Sequence, residues 1–136
     1  MRNKVLLAIL EVLCIYPAFL GVFTLSPEYD IGVGKGGSMF PTINQGDLII
    51  IKSPREEIKA GMIVAYDVEG DFAENGELII HRVIRIEGER LITKGDSDVE
   101  DDWLVTISDV KGVYLFRIPY LGYLSLIKEK FLHEAK

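Results

Sequence analysis

The sequence contains few of the residues that build metal centres and disulfide frameworks. It has one cysteine, Cys14, and two histidines, His81 and His133, among 136 residues. These numbers exclude an intramolecular disulfide, a zinc site with several cysteines and a three-histidine site. Basic residues are also outnumbered, because 15 Lys and Arg against 21 Asp and Glu give a net charge of −6. Nucleic-acid binding depends on neutralising phosphate charge. We therefore expect no metal, no cofactor and no nucleic-acid partner.

Apolar residues, by contrast, are abundant and concentrated near the start of the chain. The segment Val5–Leu25 has 21 residues and a single charge, Glu11. A helix of that length spans about 30 Å, the thickness of a bilayer core. Arg2 and Lys4 precede the segment, so the positive-inside rule predicts a cytoplasmic N-terminus.

We interpret this segment as a retained single-pass membrane anchor. A cleaved signal peptide would have a shorter apolar region followed by a small-x-small site, which Ser26–Asp30 does not offer. A buried helix of a soluble domain is the other alternative. Pro17 predicts a kink in the helix, and Cys14 would lie in lipid without a redox role. Everything after the anchor is then expected to be extracytoplasmic.

The remainder of the chain predicts a mostly β domain. Short β-branched runs alternate with Gly, Pro and Asn-Gly turn signals. Leu121, Leu124, Ile127 and Phe131 then recur at helical spacing among charged residues. This pattern predicts a short C-terminal helix that packs on the domain or lies on a membrane surface. We divide the chain into an anchor (1–26), a β domain (27–118) and a C-terminal helix (119–136). The predicted strands are Asp47–Lys52, Met62–Asp67, Glu77–Ile86, Arg90–Thr93, Leu104–Ile107 and Val110–Phe116.

A glycine cluster, Ile31–Thr42, surrounds Ser38. It contains a formal G-x-G-x-x-G, but Pro41 and Gly46 prevent the long helix that a dinucleotide site needs. The cluster is either a flexible turn or a loop that presents Ser38 as a nucleophile beside an oxyanion site.

Two further features bear on that choice. His81 lies in an apolar run and, by strand alternation, shares a face with Ile79 and Val83. It is either a half-buried histidine or the base for Ser38, whereas His133 is interpreted as solvated. Five of the seven residues in Asp96–Asp102 are acidic. That run is a solvated loop, a Ca²⁺ site, or the source of an acid that orients His81.

The order of these motifs along the chain is more informative than the residue types that they contain. Five blocks follow one another along the chain: Gly37-Ser38-Met39-Phe40-Pro41-Thr42, Gly46-Asp47-Leu48-Ile49, His81-Arg82-Val83, Lys94-Gly95-Asp96 with Asp101-Asp102, and Ile118-Pro119-Tyr120-Leu121-Gly122. With these blocks in this order, the chain resembles type I signal peptidases over about Gly32 to Gly122. Bacterial members carry a lysine where this chain has His81, so the sequence is similar to the archaeal and endoplasmic-reticulum branch.

The resemblance implies a signal-peptidase-like β-sheet catalytic domain and assigns roles to residues. Ser38 is the implied nucleophile and His81 the general base. Asp102 is the implied supporting acid, with Asp96 next and Asp101 an adjacent alternative.

The resemblance also implies how substrate is bound. Many relatives have serine where this chain has Gly36, so backbone amides around Gly37, the Ser38 N–H first, would bind the oxyanion. Met39 and the predicted strand after Asp47 would line the substrate pockets.

The implied function is removal of N-terminal signal peptides from secreted preproteins by a membrane-bound serine endopeptidase. The implied location is a cell membrane, with the active site extracytoplasmic, or the endoplasmic-reticulum membrane in a eukaryote. Expected partners are preproteins and the bilayer, with the protein translocation channel as a further candidate. One alternative is a membrane-anchored β module that binds Ca²⁺ or a partner through Asp96–Asp102. Another is a protease akin to the self-cleaving repressors, although those use lysine and lack an anchor.

Overall fold

The computed structural model describes residues 26–54, 57–67, 78–99 and 104–123 and six residues nearer the N-terminus. In these residues, seven strands form one antiparallel sheet. The strands lie side by side in the order β1-β2-β7-β3-β4-β5-β6. A short 3₁₀ turn, Ile107–Asp109, precedes the last strand. The expectation of a mostly β domain is confirmed. The strands are β1 (Tyr29–Val33), β2 (Leu48–Lys52), β3 (Ile63–Tyr66), β4 (Ile79–Glu87), β5 (Arg90–Lys94), β6 (Leu104–Thr106) and β7 (Val110–Ile118).

The six predicted strands correspond to β2–β7, but β1 is not among them. Its residues Ile31–Val33 belong to the glycine cluster, which the sequence predicts as a turn or loop. Glycine and aspartate disfavour strands locally. The chain is nevertheless extended there, because β1 pairs with β2 from Tyr29 opposite Lys52 to Val33 opposite Leu48. Tertiary pairing thus outweighs local propensity.

Alternating side chains place the core on both faces of the central strands. In β3, Val64 and Tyr66 belong to one apolar cluster, while Ile63 and Ala65 belong to another. Period-2 alternation explains this division, and it leaves β3 buried on both sides. The first cluster is Ile58, Val64, Tyr66, Val83, Leu91, Val105 and Val110. The second cluster is Met39, Ile43, Ile49, Ile51, Ile63 and Ala65.

A buried carboxylate fixes the start of β2. Asp47 is fully buried and accepts hydrogen bonds from the Asn44 N–H at 2.7 Å, from Arg117 and from the Tyr120 N–H at 3.3 Å. Burial alone would raise the pKa of Asp47, but the hydrogen bonds from Asn44, Arg117 and Tyr120 together lower it. Asp47 therefore joins the β1–β2 loop to the end of β7 as a charged group.

The anchor and the C-terminal helix fall largely outside the described residues. Within Val5–Leu25 the described residues are helical, and among all described residues no helix is long and apolar enough to cross a membrane. Of the predicted C-terminal helix, residues 124–136 lie outside the described part. The division into 1–26, 27–118 and 119–136 stays a prediction. The helical residues near the N-terminus are Ile9, Leu10, Cys14, Pro17, Ala18 and Gly21.

Candidate active site

Ser38 lies in the loop that joins β1 to β2. A turn closed by the Phe40 N–H, which donates to the Gly37 carbonyl oxygen at 3.0 Å, presents the half-buried serine. A Cβ added to Gly36 or Gly37 would meet nothing within 4 Å. The surface on the N-terminal side of Ser38 is therefore open to a second chain.

His81 meets Ser38 from the neighbouring strand β4. The His81 Nε2 lies 3.0 Å from the Ser38 Oγ, although the two residues are 43 positions apart. The imidazole is only 8% exposed and stands opposite Val64 of β3 in the sheet. The structure thus brings together the predicted nucleophile and the predicted base. A serine hydroxyl in hydrogen-bonding contact with an imidazole is the arrangement that general-base activation requires.

The second ring nitrogen of His81 contacts a buried hydroxyl group, which in turn contacts another. The His81 Nδ1 lies 3.2 Å from the Tyr66 Oη, and the Tyr66 Oη lies 2.9 Å from the Thr93 Oγ1. Tyr66 and Thr93 are fully buried. Hydroxyl groups therefore contact the imidazole at both nitrogens.

Asp96 is held by other partners. Arg82 donates to both of its oxygens, from Nε and from Nη2, each at 2.8 Å, and Thr42 donates its hydroxyl to the same carboxylate. Hydrogen bonding from Arg82, helped by Thr42, lowers the pKa of Asp96 against the opposing effect of burial. The charge of His81 makes a smaller contribution that also lowers the pKa of Asp96. Asp96 thereby ties β4 to the Ser38 loop.

The same β5–β6 loop supports the backbone of the nucleophile. Ser97 donates its N–H to the Ser38 carbonyl oxygen at 2.8 Å, and its hydroxyl reaches the Gly37 and Ser38 carbonyl oxygens at 2.9 Å. Gly95 makes this contact possible, because a Cβ there would lie 2.7 Å from the Ser38 carbonyl oxygen. The loop thus fixes the orientation of the Ser38 peptide group.

The remaining acids of the run are only partly placed. Asp101 and Asp102, the alternative and the first choice for the supporting acid, lie outside the described residues. Among the residues that the structure does describe, no group of three or more His, Cys, Asp or Glu side chains could hold a metal ion. Asp96, the first acid of the suggested Ca²⁺ loop, is engaged by Arg82 instead.

An apolar groove of about 620 Å³ opens at Ser38 and His81. It is lined by β1 and the glycines that follow it, and by the segment Leu78–His81. Its apolar lining also includes Met39, which the sequence predicts as a substrate contact, and Ile49 and Ile51 of β2. The groove therefore has the volume and the apolar lining to receive a mostly apolar peptide segment. Its other lining residues are Asp30, Ile31, Gly32, Val33, Gly34, Lys35, Gly36 and Ile43.

Known proteins are similar to this chain in sequence. A family profile described as Peptidase S24-like matches residues 26–111, the range that holds Ser38, His81 and Asp96. A fungal signal peptidase complex catalytic subunit, SEC11 of Sclerotinia sclerotiorum, is 34% identical over 122 residues, which is 79% of this chain and 68% of the relative. The chain belongs to the Peptidase S24-like family, in the branch of the endoplasmic-reticulum-type signal peptidases.

Other members of this signal peptidase branch are similar over a slightly shorter range. SEC11 of Lodderomyces elongisporus is 32% identical over 110 residues, and SEC11 of Leptosphaeria maculans is 33% identical over 111. Each alignment covers 71% of this chain. The chain spans 64% and 62% of the length of these two relatives, slightly less than two thirds.

Three residues at the candidate site were not assigned a role from the sequence. The sequence predicts Tyr66 and Thr93 only as residues of strands. Ser97 stands in the acidic run as an uncharged residue without a predicted role. The alternation of β-branched and aromatic residues predicts which face of a strand is buried, but not which strands pair. The pairing of β3 with β4 and of β4 with β5 is what brings Tyr66 and Thr93 behind His81.

Proposed function

We propose that this chain is a membrane-bound serine endopeptidase that removes N-terminal signal peptides from secreted preproteins. The observation that carries the proposal is the 3.0 Å contact between the Ser38 Oγ and the His81 Nε2 at the mouth of an apolar groove. Membership of the signal peptidase branch supports the choice of substrate, since the relatives are named signal peptidase catalytic subunits.

The reaction follows the serine acyl-transfer scheme. His81 Nε2 takes the proton of the Ser38 hydroxyl while Oγ attacks the carbonyl carbon of the scissile bond. His81 then gives that proton to the leaving amine, and the peptide C–N bond breaks. A water molecule that loses a proton to His81 attacks the acyl-enzyme, and Ser38 recovers its proton when the signal peptide leaves.

Backbone amides bind the oxyanion in this proposal. The Ser38 N–H is the first donor, because Gly36 has no hydroxyl to offer. Ser97 stabilises the position of the Ser38 N–H, because its hydrogen bonds to the Ser38 carbonyl oxygen fix the loop that carries this donor. A donor held in place before the charge develops stabilises the transition state most.

The substrate binds in the groove as an extended strand. Strand β1 and the start of β4 offer backbone hydrogen bonds along the groove walls, which give affinity without reading side chains. Met39, Ile49 and Ile51 line the groove. In this proposal they form shallow apolar pockets that accept small residues at the first and third positions before the cut.

The anchor Val5–Leu25 places this site at the membrane surface. With the N-terminus in the cytoplasm, Ser38 follows the anchor on the extracytoplasmic side, where a signal peptide leaves the bilayer. Sharing one membrane raises the effective concentration of enzyme and preprotein. The protein translocation channel is a further candidate partner at this location.

Incubation of the detergent-solubilised chain with a secreted preprotein tests the function. We expect one cut after the signal segment, identified by sequencing the new N-terminus. The matched control is the same preprotein with tryptophan in place of the small residue before the cut, which should be cleaved at least about 100-fold more slowly because the pocket is shallow. A preprotein that stays intact, or cleavage that ignores the tryptophan, would contradict the proposal.

Separate replacements of the acids test which one supports His81. We expect Asp102→Asn to lower kcat by about 10³-fold, because the imidazolium loses its charge partner. Asp96→Asn should instead lower the melting temperature by about 4–8 °C, because it loosens the contact with Arg82. The control is Asp67→Asn, which changes an exposed aspartate. An unchanged kcat in Asp102→Asn would overturn this assignment.

A further inference from the structure

Three buried side chains form a line that leads away from Ser38. His81 is 8% exposed, and behind it lie Tyr66 and Thr93, both fully buried. The Tyr66 Oη lies 3.2 Å from the His81 Nδ1 and 2.9 Å from the Thr93 Oγ1. The tyrosine hydroxyl therefore contacts the imidazole and the threonine at once.

Strand pairing holds these groups rigidly. Tyr66 of β3 stands opposite Ile79 of β4, so it meets His81 on the diagonal of the same face. Thr93 of β5 stands opposite Val83, two residues after His81. The Tyr66 and His81 rings also touch edge to face, with centroids 6.3 Å apart and planes at 69°. Three adjacent strands thus fix the position of one hydroxyl.

The direction of the hydrogen bonds follows from the chemistry proposed for Ser38. If the His81 Nε2 is to accept the Ser38 proton, neutral His81 must carry its own proton on Nδ1. That N–H then donates to the Tyr66 oxygen, and the Tyr66 O–H donates to the Thr93 Oγ1. A tyrosine hydroxyl can accept one hydrogen bond and donate another, so both contacts are satisfied.

We propose that Tyr66, oriented by Thr93, is a positioning residue that holds His81 in the tautomer needed for general-base catalysis. The inference rests on the proposed function. It adds to the supporting acid rather than replacing it, because a neutral hydroxyl fixes the ring and its tautomer while a carboxylate balances the imidazolium charge. The Nδ1–H···O contact also persists when Nε2 is protonated, so the imidazole does not have to turn during the reaction.

Tyr66→Phe tests the proposal, because it removes the hydroxyl and keeps the ring. We expect kcat for preprotein cleavage to fall by about 10- to 100-fold, the effect of losing one hydrogen bond to a group that becomes charged, with KM changed less than about twofold. Thr93→Val, which keeps the shape, should lower kcat less. The double variant should be no slower than Tyr66→Phe, because Thr93 acts through Tyr66.

A spectroscopic measurement separates positioning from simple structural support. The chain has two histidines, so His133→Gln leaves His81 as the single imidazole, and its ¹⁵N shifts report the tautomer. We expect the proton on Nδ1 in the otherwise unchanged chain and a shift toward Nε2 in Tyr66→Phe. Tyr120→Phe, which removes a hydroxyl from a side chain that is 73% exposed, is the control and should change neither kcat nor the tautomer.

The outcomes keep this inference apart from the proposed function. A chain that cuts no preprotein overturns the proposed function, while the ¹⁵N shifts still decide whether Tyr66 sets the tautomer. An active chain in which Tyr66→Phe retains full kcat overturns the inference. So does a loss of kcat that comes with a lower melting temperature and an unchanged tautomer. If Tyr66→Phe fails to fold, Thr93→Val decides, and an unchanged kcat and tautomer there also overturn the inference.

Discussion

Replacing Ser38 with alanine is expected to lower kcat for preprotein cleavage by at least about 10⁴-fold, because the Ser38 Oγ is the atom that forms the acyl-enzyme in the proposed reaction. The fold should be unaffected, since the Ser38 main-chain carbonyl, which Ser97 binds, remains in place. The measurement is the rate of appearance of the mature N-terminus under single-turnover conditions. Binding should change little, so an immobilised Ser38→Ala chain should still retain the preprotein.

Ser108→Ala is the matched control for this variant. Ser108 is exposed in the 3₁₀ turn before β7, so the same loss of a hydroxyl should leave cleavage unchanged. If Ser38→Ala retained more than a trace of activity while the melting temperature stayed constant, Ser38 would not be the nucleophile.

Replacing His81 with alanine is expected to have an effect of similar size. Without the imidazole, the Ser38 proton has no acceptor at 3.0 Å and the leaving amine has no donor, so kcat should fall by at least about 10⁴-fold. Because His81 is buried, the melting temperature must be measured beside the rate. His81→Gln keeps most of the volume and should be equally inactive.

His81→Lys asks whether the base of the bacterial enzymes can act here. The structure predicts that it cannot, because Ser38 and Tyr66 contact two different nitrogens of one flat ring. A single lysine amine cannot replace both contacts in place. His133→Gln, a change in the charged C-terminal segment, should leave the rate unchanged. Substantial cleavage by His81→Lys would show that the site tolerates either base.

Runs of β-branched residues between turn signals correctly predict the strands of this sheet that contain such runs. Strands β2 and β4 are rich in isoleucine, and the sequence predicts both within two residues of their observed bounds. The sequence does not predict β1, because Asp30 and Gly32 each disfavour a strand locally. Its extended form depends on β2, a neighbour that no local window contains.

The candidate site also has a part that the sequence predicts and a part that depends on tertiary structure. Ser38 and His81 stand out because motif order marks them, and the structure places them in contact. Asp96 is marked by the same motif, yet its carboxylate turns to Arg82 and Thr42. Which acid meets which base depends on the path of a loop across the sheet, and sequence spacing does not fix that path.

The contacts described around Ser38 join parts of the chain that are far apart in sequence. Ser38 and His81 are 43 positions apart, Thr42 and Asp96 are 54, and Ser38 and Ser97 are 59. Such contacts form late in folding, because each closes a long loop that only the assembled sheet can stabilise. A nascent or partly folded copy therefore carries a serine without its base. In the sheet, β2 is joined to β3 and β4 only through β7, the last strand in the sequence, so the Ser38–His81 contact is complete only after β7 has paired with both β2 and β3.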